Sequence, residues 1–337
     1  MSAATHAIVE AHDVRLEQLH ERVAELSHPV VFRGLVEHWP LVRQAQQSAD
    51  AAADYLRQFD TGEPVTAYIG NADDDGRIFY NDNLTATNFQ QTGMPLDQVL
   101  AMLGEHADNP RPPTIYVGSS AIDLCLPGLG TDNSLPRGRF RPSVRIWLGN
   151  RTTVAAHYDA LENIACVCAG RRRFTLFPPD QLPNLYVGPM ELTPAGQQIS
   201  LVDLNHPDLD RYPRFSEALA HAQSAELEPG DAIYIPAMWW HHVQGLSSFN
   251  ILINHWWREV PDHMGAPVDA LLHAILNIRD LPLPQRQAWR DLFDHYVFNY
   301  SSDCVEHIPE HSRGALGTLD ETTARRLRTW LRNKLNR

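Results

Sequence analysis

Short runs of alternating apolar and polar residues fill the middle of the chain, across residues 112–260. Gly- and Pro-containing turns separate these runs, and no long helical period interrupts them. Strands this short, with this spacing, are typical of an antiparallel barrel or sandwich. The predicted strands cover residues 114–118, 144–148, 163–168, 173–177, 232–235 and 249–257.

The first part of the chain mixes helical and extended patterns. Residues 1–60 have helical spacing around one extended stretch, PVVFRG at 29–34. Further along, the turn sequence DDDG at 73–76 separates strand-like residues 65–69 from strand-like residues 77–80, and residues 96–103 form a short amphipathic helix. We expect these elements to pack on the central strands.

Three amphipathic helices are predicted after Val260. The first two carry apolar residues at helical spacing around Leu272 and Leu292, and a Pro-containing break separates them. The third begins at a capping box formed by Thr318 and Glu321. Because three such helices bury their apolar faces only against a partner, either the barrel or a second copy of the chain must cover them. We favour a homodimer.

Length and composition limit the class of protein. The chain has 337 residues, of which 43% are hydrophobic, so it can form a large core without disulfide or metal support. We divide it into residues 1–111, which pack on the barrel, a catalytic barrel at 112–260, and a helical dimerisation region at 261–337. No apolar run is long enough for a membrane span, and the N-terminus lacks the pattern of a signal peptide, so we expect a cytoplasmic protein.

The charge balance disfavours nucleic acid as a partner. The chain carries 28 Lys and Arg residues against 41 Asp and Glu residues, a net charge of −13, whereas nucleic-acid-binding proteins usually present a basic face. Lys334 is the only lysine in the sequence. Any anion held in a buried site must therefore be bound by arginine.

The four cysteines indicate free thiols rather than a metal site. Cys166 and Cys168 lie two residues apart in an apolar strand, so they share a face. A second Cys/His pair at zinc spacing is missing from the sequence around them. We interpret both as small buried core residues.

One His-x-Asp pair stands in the right context for a metal site. His157 and Asp159 follow an apolar strand and a Gly-Asn turn, and on an extended backbone both side chains point the same way. A third ligand from His241 or His242, which follow the strand at 232–235, would complete two imidazoles and one carboxylate. That set is the facial triad of non-haem Fe(II) oxygenases, although the spacing alone also allows a hydrogen-bonded His–Asp pair.

The other two His-x-Asp pairs lie in loop-like sequence. His106 precedes an Asn-Pro dipeptide, and His206 is followed directly by Pro207. We do not expect either pair to bind metal.

Two blocks of sequence resemble the cupin-like JmjC oxygenases, and within them the asparaginyl hydroxylases. The first block is HYDALENIACVCAGRRRFTLFPP from His157, and the second is EPGDAIYIPAMWWHHV from Glu228. A weaker likeness extends over residues 25–260. The resemblance implies a mainly β, double-stranded β-helix (cupin or jelly-roll) barrel with N-terminal mixed α/β elements and a C-terminal helical dimerisation region. It also implies Fe(II), 2-oxoglutarate and O2.

Carried over by position, the resemblance implies His157, Asp159 and His241 as the iron ligands, with His242 pointing away. It assigns 2-oxoglutarate to Tyr116, Asn163, Arg172 and Asn254. Arg172 stands where the family has a lysine, and a guanidinium can bind a carboxylate through two hydrogen bonds. An exposed hairpin of arginines is the alternative for Arg172, and a hydrogen bond to a buried backbone group is the alternative for Asn254.

Two further positions are assigned by the same resemblance. Tyr158 and Trp256 flank the substrate, although either can equally be a core residue. Val154 departs from the family, which has a threonine there that contacts the co-substrate. Thr152 and Thr153 stand next to it as candidate replacements.

The implied reaction is hydroxylation with release of succinate and CO2. A protein side chain is the first substrate hypothesis, a small metabolite the second and lysine demethylation the third. Two other functions stay open: a Mn or Zn cupin isomerase or hydrolase, and a ligand-binding cupin without activity. The first does not require an arginine that holds an anion beside Tyr116 and Asn254, and the intact metal triad argues against the second.

Overall fold

Fifteen strands in two sheets dominate the computed structural model, which describes residues 6–136 and 142–335. The strands are β1 (His6–Ala7), β2 (Val9–Ala11), β3 (Val30–Phe32), β4 (Val65–Gly70), β5 (Arg77–Ile78), β6 (Phe89–Met94), β7 (Thr114–Ala121), β8 (Ser143–Gly149), β9 (Thr153–Tyr158), β10 (Glu162–Ala169), β11 (Arg172–Phe177), β12 (Gln223–Leu227), β13 (Ala232–Ile235), β14 (Trp240–Gly245) and β15 (Asn250–Trp257).

The helices lie mainly before and after the central strands. They are α1 (Leu19–Ala24), α2 (Pro40–Gln47), α3 (Ala49–Arg57), α4 (Leu96–Glu105), α5 (Ile122–Cys125), α6 (Phe215–Ala220), α7 (Pro267–Asn277), α8 (Leu283–Phe293) and α9 (Glu321–Leu335). In the described residues no helix combines the length and the apolar character needed to cross a bilayer.

Two mixed sheets form the first of two compact units, Met1–Arg258. The six-stranded sheet has the order β1-β12-β11-β14-β9-β5, and the nine-stranded sheet has the order β2-β3-β13-β10-β15-β8-β7-β4-β6. No hydrogen-bonded strand pair joins the two sheets within the described residues, so they pack as layers rather than as a closed barrel. The prediction of a mainly β, jelly-roll-like fold is confirmed.

An apolar cluster fills part of the layer between the sheets. Strand β10 contributes Ala165 and Val167 to it, and β11 contributes Phe174 and Leu176 from the other sheet. The intervening residues of β10 point the other way, so Cys166 and Cys168 pack among residues of the N-terminal helices and strands. Both cysteines are buried and free, which confirms their interpretation as core residues.

Strands before residue 112 are part of the same two sheets. Strand β3 pairs with β13, and β4 pairs with β7. Strand β6, which lies outside the predicted strands, pairs with β4. The three-part division of the chain by sequence texture stays a prediction.

The second unit, Glu259–Arg337, contains the three helices that the sequence predicts. Helix α7 and helix α8 cover the expected residues, and a short π-helix at Asp294–Phe298 extends α8. The predicted start of the last helix at Thr318 is wrong. Helix α9 begins at Glu321, because the Asp320 carboxylate, rather than the Thr318 hydroxyl, accepts from the Thr323 backbone N–H at 2.7 Å.

The turn between β10 and β11 depends on Gly170. This residue has a φ of +67°, and a Cβ atom there would overlap the Phe249 carbonyl oxygen and the Asn250 side chain. The turn places Arg172 at the first position of β11. A glycine is required here both for the backbone conformation and for the close approach of β15.

Gly170→Ala is expected to lower the free energy of unfolding by about 2–4 kcal/mol, since left-handed strain adds to overpacking. Chemical denaturation followed by circular dichroism measures this change. Gly104→Ala in α4 is the matched control, because its Cβ atom meets no neighbour. That control is expected to be neutral or slightly stabilising. Equal stability of the two variants would contradict the role given to the turn.

Candidate metal centre and cavity

The metal-ligand candidates come from two neighbouring strands of the six-stranded sheet. His241 of β14 lies directly opposite His157 of β9, and Val243 lies opposite Val154. Between these two pairs lie one residue of β14 and two residues of β9. Strand β9 therefore carries one extra residue, which is a β-bulge. Because of this bulge, both His157 and Val154 line the same cavity.

Three side chains converge where these strands end. One ligand atom each from His157, Asp159 and His241 can be chosen such that all three lie within 4.8 Å of one another. The His241 Nε2 atom lies 3.6 Å from the Asp159 Oδ2 atom, and the two imidazole centroids are 4.2 Å apart. Two nitrogens and one carboxylate on one side of a cation leave the other side open for exogenous ligands.

Backbone carbonyls orient both imidazoles. The His157 Nδ1 atom lies 2.9 Å from the Ala155 carbonyl oxygen, and the His241 Nδ1 atom lies 3.1 Å from the Trp239 carbonyl oxygen. An Nδ1–H that donates to a carbonyl leaves Nε2 with its lone pair free. Burial and the neighbouring His241 lower the pKa of His157 to about 4, so its imidazole is neutral at physiological pH.

A turn with a strained backbone is hydrogen-bonded to Asp159. Met238 precedes β14 with a φ of +68°, and its backbone N–H donates to the Asp159 carbonyl oxygen at 2.8 Å. Glu162 accepts from the Tyr234 hydroxyl at 2.6 Å and from the Ala237 N–H at 3.3 Å. The end of β9 and the start of β14 are thus fixed to each other around the candidate metal position.

The triad opens into a cavity of about 360 Å³ between the two sheets. This volume lies in the usual range for small-molecule sites. Its polar lining comprises Tyr68, Tyr116, Ser119, His157, Asp159, Asn163, Arg172, Gln197, His241 and Asn254. Trp147, Trp256 and aliphatic side chains form most of the remaining wall.

Arg172 is the buried cation of this cavity, with only 3% of its surface exposed. Its Nε atom is buried and has no hydrogen-bond partner, and no acidic side chain of the described residues pairs with it. Burial lowers the pKa of its guanidinium, and the nearby groups that oppose this shift are Tyr116 and Cys168. The exposed-hairpin alternative does not describe Arg172. It does describe Arg171 and Arg173, which share the exposed Glu226.

The two asparagines belong to one hydrogen-bonded row. Asn254 accepts from the Trp147 indole N–H at 2.9 Å and donates to the Asn163 side-chain oxygen at 3.3 Å. Tyr116 lies beside Trp147, with ring centroids 6.1 Å apart, and burial raises the pKa of its phenol. All four side chains line the cavity, and the partners of Asn254 are side chains rather than backbone groups.

The two substrate candidates lie in different places. Trp256 lines the cavity. Tyr158 packs edge-on against Trp240, with centroids 5.1 Å apart, and is not among the described residues of the cavity wall. At the position where the family has a threonine, Val154 lines the cavity, whereas the described lining includes neither Thr152 nor Thr153.

His242 lies on the opposite face of β14, as strand alternation predicts. It is buried, and burial lowers its pKa to about 3. The other His-x-Asp pairs stay apart from the cavity. His206 is exposed and lies 3.8 Å from Asp203, and the His106 ring lies 3.4 Å from Asn109.

Several lining residues escape sequence reasoning. Tyr68 comes from β4, Ser119 from a bulge in β7, and residues 194–197 from the long segment between β11 and α6. Trp147 lies on β8, the strand before the metal motif. The alternation of side chains along that strand is enough to predict that Trp147 points inward. The others lack such a signal, because strand pairing far along the chain, a bulge or a long connection brings them to the cavity.

The residues present fit the groups that the resemblance implies. Two imidazoles with free Nε2 atoms and one carboxylate are suitable ligands for Fe(II), although the same donors also bind Mn(II) or Zn(II). The unpartnered guanidinium of Arg172 fits a carboxylate. We infer from the donors alone a site for a divalent cation with an anion beside it.

Comparison with known proteins gives a consistent result. A family model described as a cupin-like domain matches residues 16–263. Lysine-specific demethylase JMJ31 of Arabidopsis thaliana is 27% identical over 275 residues, which cover 72% of this chain and 49% of that protein. The chain is also similar to lysine-specific demethylase 8 of Xenopus tropicalis, at 24% identity over 74% of this chain and 53% of that protein.

A third relative is the bifunctional peptidase and (3S)-lysyl hydroxylase JMJD7 of Homo sapiens. It is 28% identical over 264 residues, which cover 68% of this chain and 77% of that protein. The chain thus spans about half the length of the first two relatives. These matches confirm the resemblance to cupin-like JmjC proteins that the two motif blocks indicate.

Replacing any one of the triad residues by alanine is expected to abolish stoichiometric Fe(II) binding, since two ligands hold the cation far more weakly than three. Anaerobic equilibrium dialysis of His157→Ala, Asp159→Ala and His241→Ala measures the loss. His106→Ala and His206→Ala are the controls and keep one Fe(II) per chain. If His242→Ala lost the metal and His241→Ala kept it, the third ligand would be wrong.

Proposed function

The chain belongs to the cupin-like domain family, and we propose that it is an Fe(II)- and 2-oxoglutarate-dependent oxygenase that hydroxylates its substrate. One observation carries the proposal: a buried arginine without an acidic partner lines the same cavity as a His-Asp-His triad. An oxygenase of this class needs both a metal site with open positions and a separate anchor for a dicarboxylate. A Mn or Zn isomerase or hydrolase needs the metal site alone.

Each protein group has a defined task in this proposal. His157, Asp159 and His241 hold Fe(II) on one side and leave adjacent positions open. Arg172 binds the distal carboxylate of 2-oxoglutarate, and Tyr116 lies beside it as a neutral hydrogen-bond donor. Asn163 and Asn254 keep the intervening wall polar. When bound, Fe(II), 2-oxoglutarate and O2 supply the oxidising chemistry, with succinate and CO2 released.

The apolar walls protect this chemistry. Val154, Phe174, Val243 and Leu252 contribute aliphatic and aromatic surface to the cavity wall, which limits the access of water. The proposed reaction needs no acid–base pair from the chain, since the bound groups supply the oxidising chemistry. The contribution of the chain is therefore ligand geometry, placement of the substrate and exclusion of water.

Arg172→Ala is expected to weaken 2-oxoglutarate binding roughly 10- to 150-fold, the effect of losing a hydrogen-bonded charge pair. The measurement is the visible charge-transfer absorbance of anaerobic protein with Fe(II), titrated with 2-oxoglutarate. Arg171→Ala is the matched control, because that neighbouring side chain is more than half exposed. Unchanged affinity in Arg172→Ala would move the anchor elsewhere. Tight Fe(II) binding without any band would favour the metal hydrolase or isomerase, or a ligand-binding protein.

A protein or peptide side chain is the proposed substrate class. The names of the relatives describe two lysine demethylases and a lysyl hydroxylase, all of which act on lysine in proteins. Hydroxylation is preferred over demethylation for this chain, and a small metabolite is the second candidate. The net charge of −13 speaks against nucleic acid as the substrate.

We also propose that the chain is a homodimer held by its C-terminal helices. In the described part of the second unit, only Val305 and Ala324 are buried. Large apolar side chains of all three helices are exposed, among them Leu276 (74%), Trp289 and Trp330. Apolar residues at this density are typical of a covered surface, and a second copy of the same helices provides a self-complementary cover.

Deletion of residues 318–337 is expected to convert the dimer to a monomer or an aggregate, because it removes one of the three apolar faces. Light scattering coupled to size exclusion measures the mass. Leu276→Asp tests the same surface without truncation and is also expected to give a monomer, since the buried carboxylate would be unpaired. A clean dimer in both variants would refute the role of these helices.

A further inference from the structure

A small hairpin lies in the long connection between β11 and α6, at residues 186–201. The Gly188 backbone N–H donates to the Ile199 carbonyl oxygen at 2.9 Å and closes the hairpin at its base. We call the paired residues on both sides of this bond the stem, and we call residues 189–197 the tip. The stem and the tip are held in the fold in different ways.

The stem is fixed to the strand that carries the metal-ligand candidates. The Ser200 backbone N–H donates to the Ala156 carbonyl oxygen at 2.7 Å, and Ile199 forms an isolated bridge with His157. The Ser200 hydroxyl also donates to the Leu185 carbonyl oxygen at 2.6 Å, and the Ile199 side chain is fully buried. The stem is therefore anchored to β9 by backbone bonds and by the core.

The tip lies against the cavity. Residues 194–197 belong to the cavity lining, and Ala195 packs with Tyr116 and Val154 in one apolar cluster. Tyr116 is also one of the groups near the Arg172 guanidinium. The tip thus covers the end of the cavity where the buried cation lies.

The cavity reaches solvent beside the tip. Among its described lining residues, the two exposed ones are Ala160, which directly follows Asp159, and Gly196 in the tip. The tip therefore forms one edge of the opening. If the tip moved away from the cavity, the opening would widen toward Tyr116 and Arg172.

Few interactions stabilise the conformation of the tip. Inside it, one backbone hydrogen bond of the described residues joins the Gly196 N–H to the Thr193 carbonyl oxygen, at the long distance of 3.4 Å. Pro189 and Pro194 have no N–H to donate. Segments with few hydrogen bonds and few buried contacts open at a free-energy cost far below that of global unfolding.

In the described residues, one hydrogen bond joins the tip to the rest of the fold. The Tyr80 hydroxyl donates to the Leu192 carbonyl oxygen at 2.8 Å. The Tyr80 ring is buried in a cluster with Ala155 and Ile199, and the Leu192 side chain packs half-buried against that cluster. The ring of Tyr80 thus belongs to the fixed core, while its hydroxyl binds the tip.

We propose that residues 189–197 are a lid over the Arg172 end of the cavity, that the Tyr80 hydroxyl is the latch of its closed form, and that the lid opens to admit and release the anion bound by Arg172. The identity of that anion, 2-oxoglutarate, rests on the proposed function. The lid and its latch rest on the hairpin alone. A ligand that contacts Ala195 or Gln197 favours the closed form.

Proteolysis of the native full chain measures opening of the lid without any ligand. Glu191 is the acidic residue of the tip and is exposed, so glutamyl endopeptidase cleaves after it once the tip detaches. Tyr80→Phe keeps the ring and removes the latch. We expect roughly fivefold faster cleavage after Glu191 in this variant, the usual effect of one neutral hydrogen bond.

Tyr300→Phe is the matched control. The Tyr300 hydroxyl also donates to a backbone carbonyl, that of Leu316 at 3.1 Å, but it does so in the second unit. This variant is expected to be cleaved after Glu191 at the wild-type rate. Mass spectrometry of the fragments identifies the cleavage site in each case.

The dissociation rate of 2-oxoglutarate tests whether the lid controls the anion. The anaerobic complex with Fe(II) is diluted rapidly, and the decay of its charge-transfer absorbance gives the rate. Because the lid must open before release, we expect Tyr80→Phe to raise this rate by the same factor as the cleavage rate. Leu192→Ala removes the apolar contact of the lid with the Tyr80 cluster and is expected to raise both rates as well.

Bound anion is expected to close the lid. Mn(II) with 2-oxoglutarate should therefore slow cleavage of the wild-type chain after Glu191 several-fold, whereas Mn(II) alone should not. The Arg172→Ala variant separates binding of the anion from any direct effect on the protease, because it is expected to lose this protection.

Three results would overturn the inference. The first is wild-type cleavage in both Tyr80→Phe and Leu192→Ala, since the tip would then be a fixed wall. The second is faster cleavage with an unchanged dissociation rate, and the third is no protection by a bound anion. If the wild-type chain gave no absorbance band with 2-oxoglutarate, the proposed function would fail, while the cleavage rates of the free variants would still decide whether the latch exists.

Discussion

The site depends on one constraint: the guanidinium of Arg172 is buried and has no acidic partner among the described residues. Removing Arg172 from water costs on the order of several kcal/mol, and no carboxylate of the described residues repays that cost. The surrounding fold must supply the free energy as long as no anion is bound. An anion that binds to Arg172 gains the electrostatic interaction that no carboxylate of the described residues makes with it. The same residue therefore lowers the stability of the free protein and raises its affinity for a carboxylate, and ligand binding should stabilise the fold measurably.

The metal position follows from strand geometry rather than from loop flexibility. The β9 bulge brings His157 opposite His241 on the inner face, and the hydrogen bond from Met238 N–H to the Asp159 carbonyl closes the end of the strand pair. Both imidazoles are then held by carbonyls two residues away on their own strands. Since the backbone fixes ring orientation, metal binding requires little rearrangement of the ligands. The positive φ of Met238 costs conformational free energy, and the hydrogen bonds around this residue hold it in that conformation.

Local patterning accounts for what the sequence predicted well. Strand alternation places His157, Asp159 and His241 on the cavity side and His242 on the other, and it separates Ala165 from Cys166. The resemblance supplied Arg172 and Tyr116, and the cavity contains both. The missed residues depend on tertiary packing. Ser119 lies in the cavity wall because of a bulge in β7. Residues 194–197 belong to a long connection whose sequence shows no periodicity. Likewise, Asp320 displaced Thr318 as the α9 cap, because either side chain satisfies the same local rule.

The distribution of charge in the cavity links the fold to the choice of substrate. One carboxylate and one guanidinium line it, and in the proposed oxygenase the first binds the metal and the second binds the co-substrate. Outside the triad and Arg172, the polar part of the described wall consists of tyrosines, tryptophans, a serine and amides, so it offers hydrogen bonds without further charge. The family match over residues 16–263 includes the strands that carry the triad and Arg172 and also the strands that carry Tyr68 and Ser119. A substrate that enters the cavity would therefore meet uncharged side chains, while the triad and Arg172 serve the proposed metal and co-substrate.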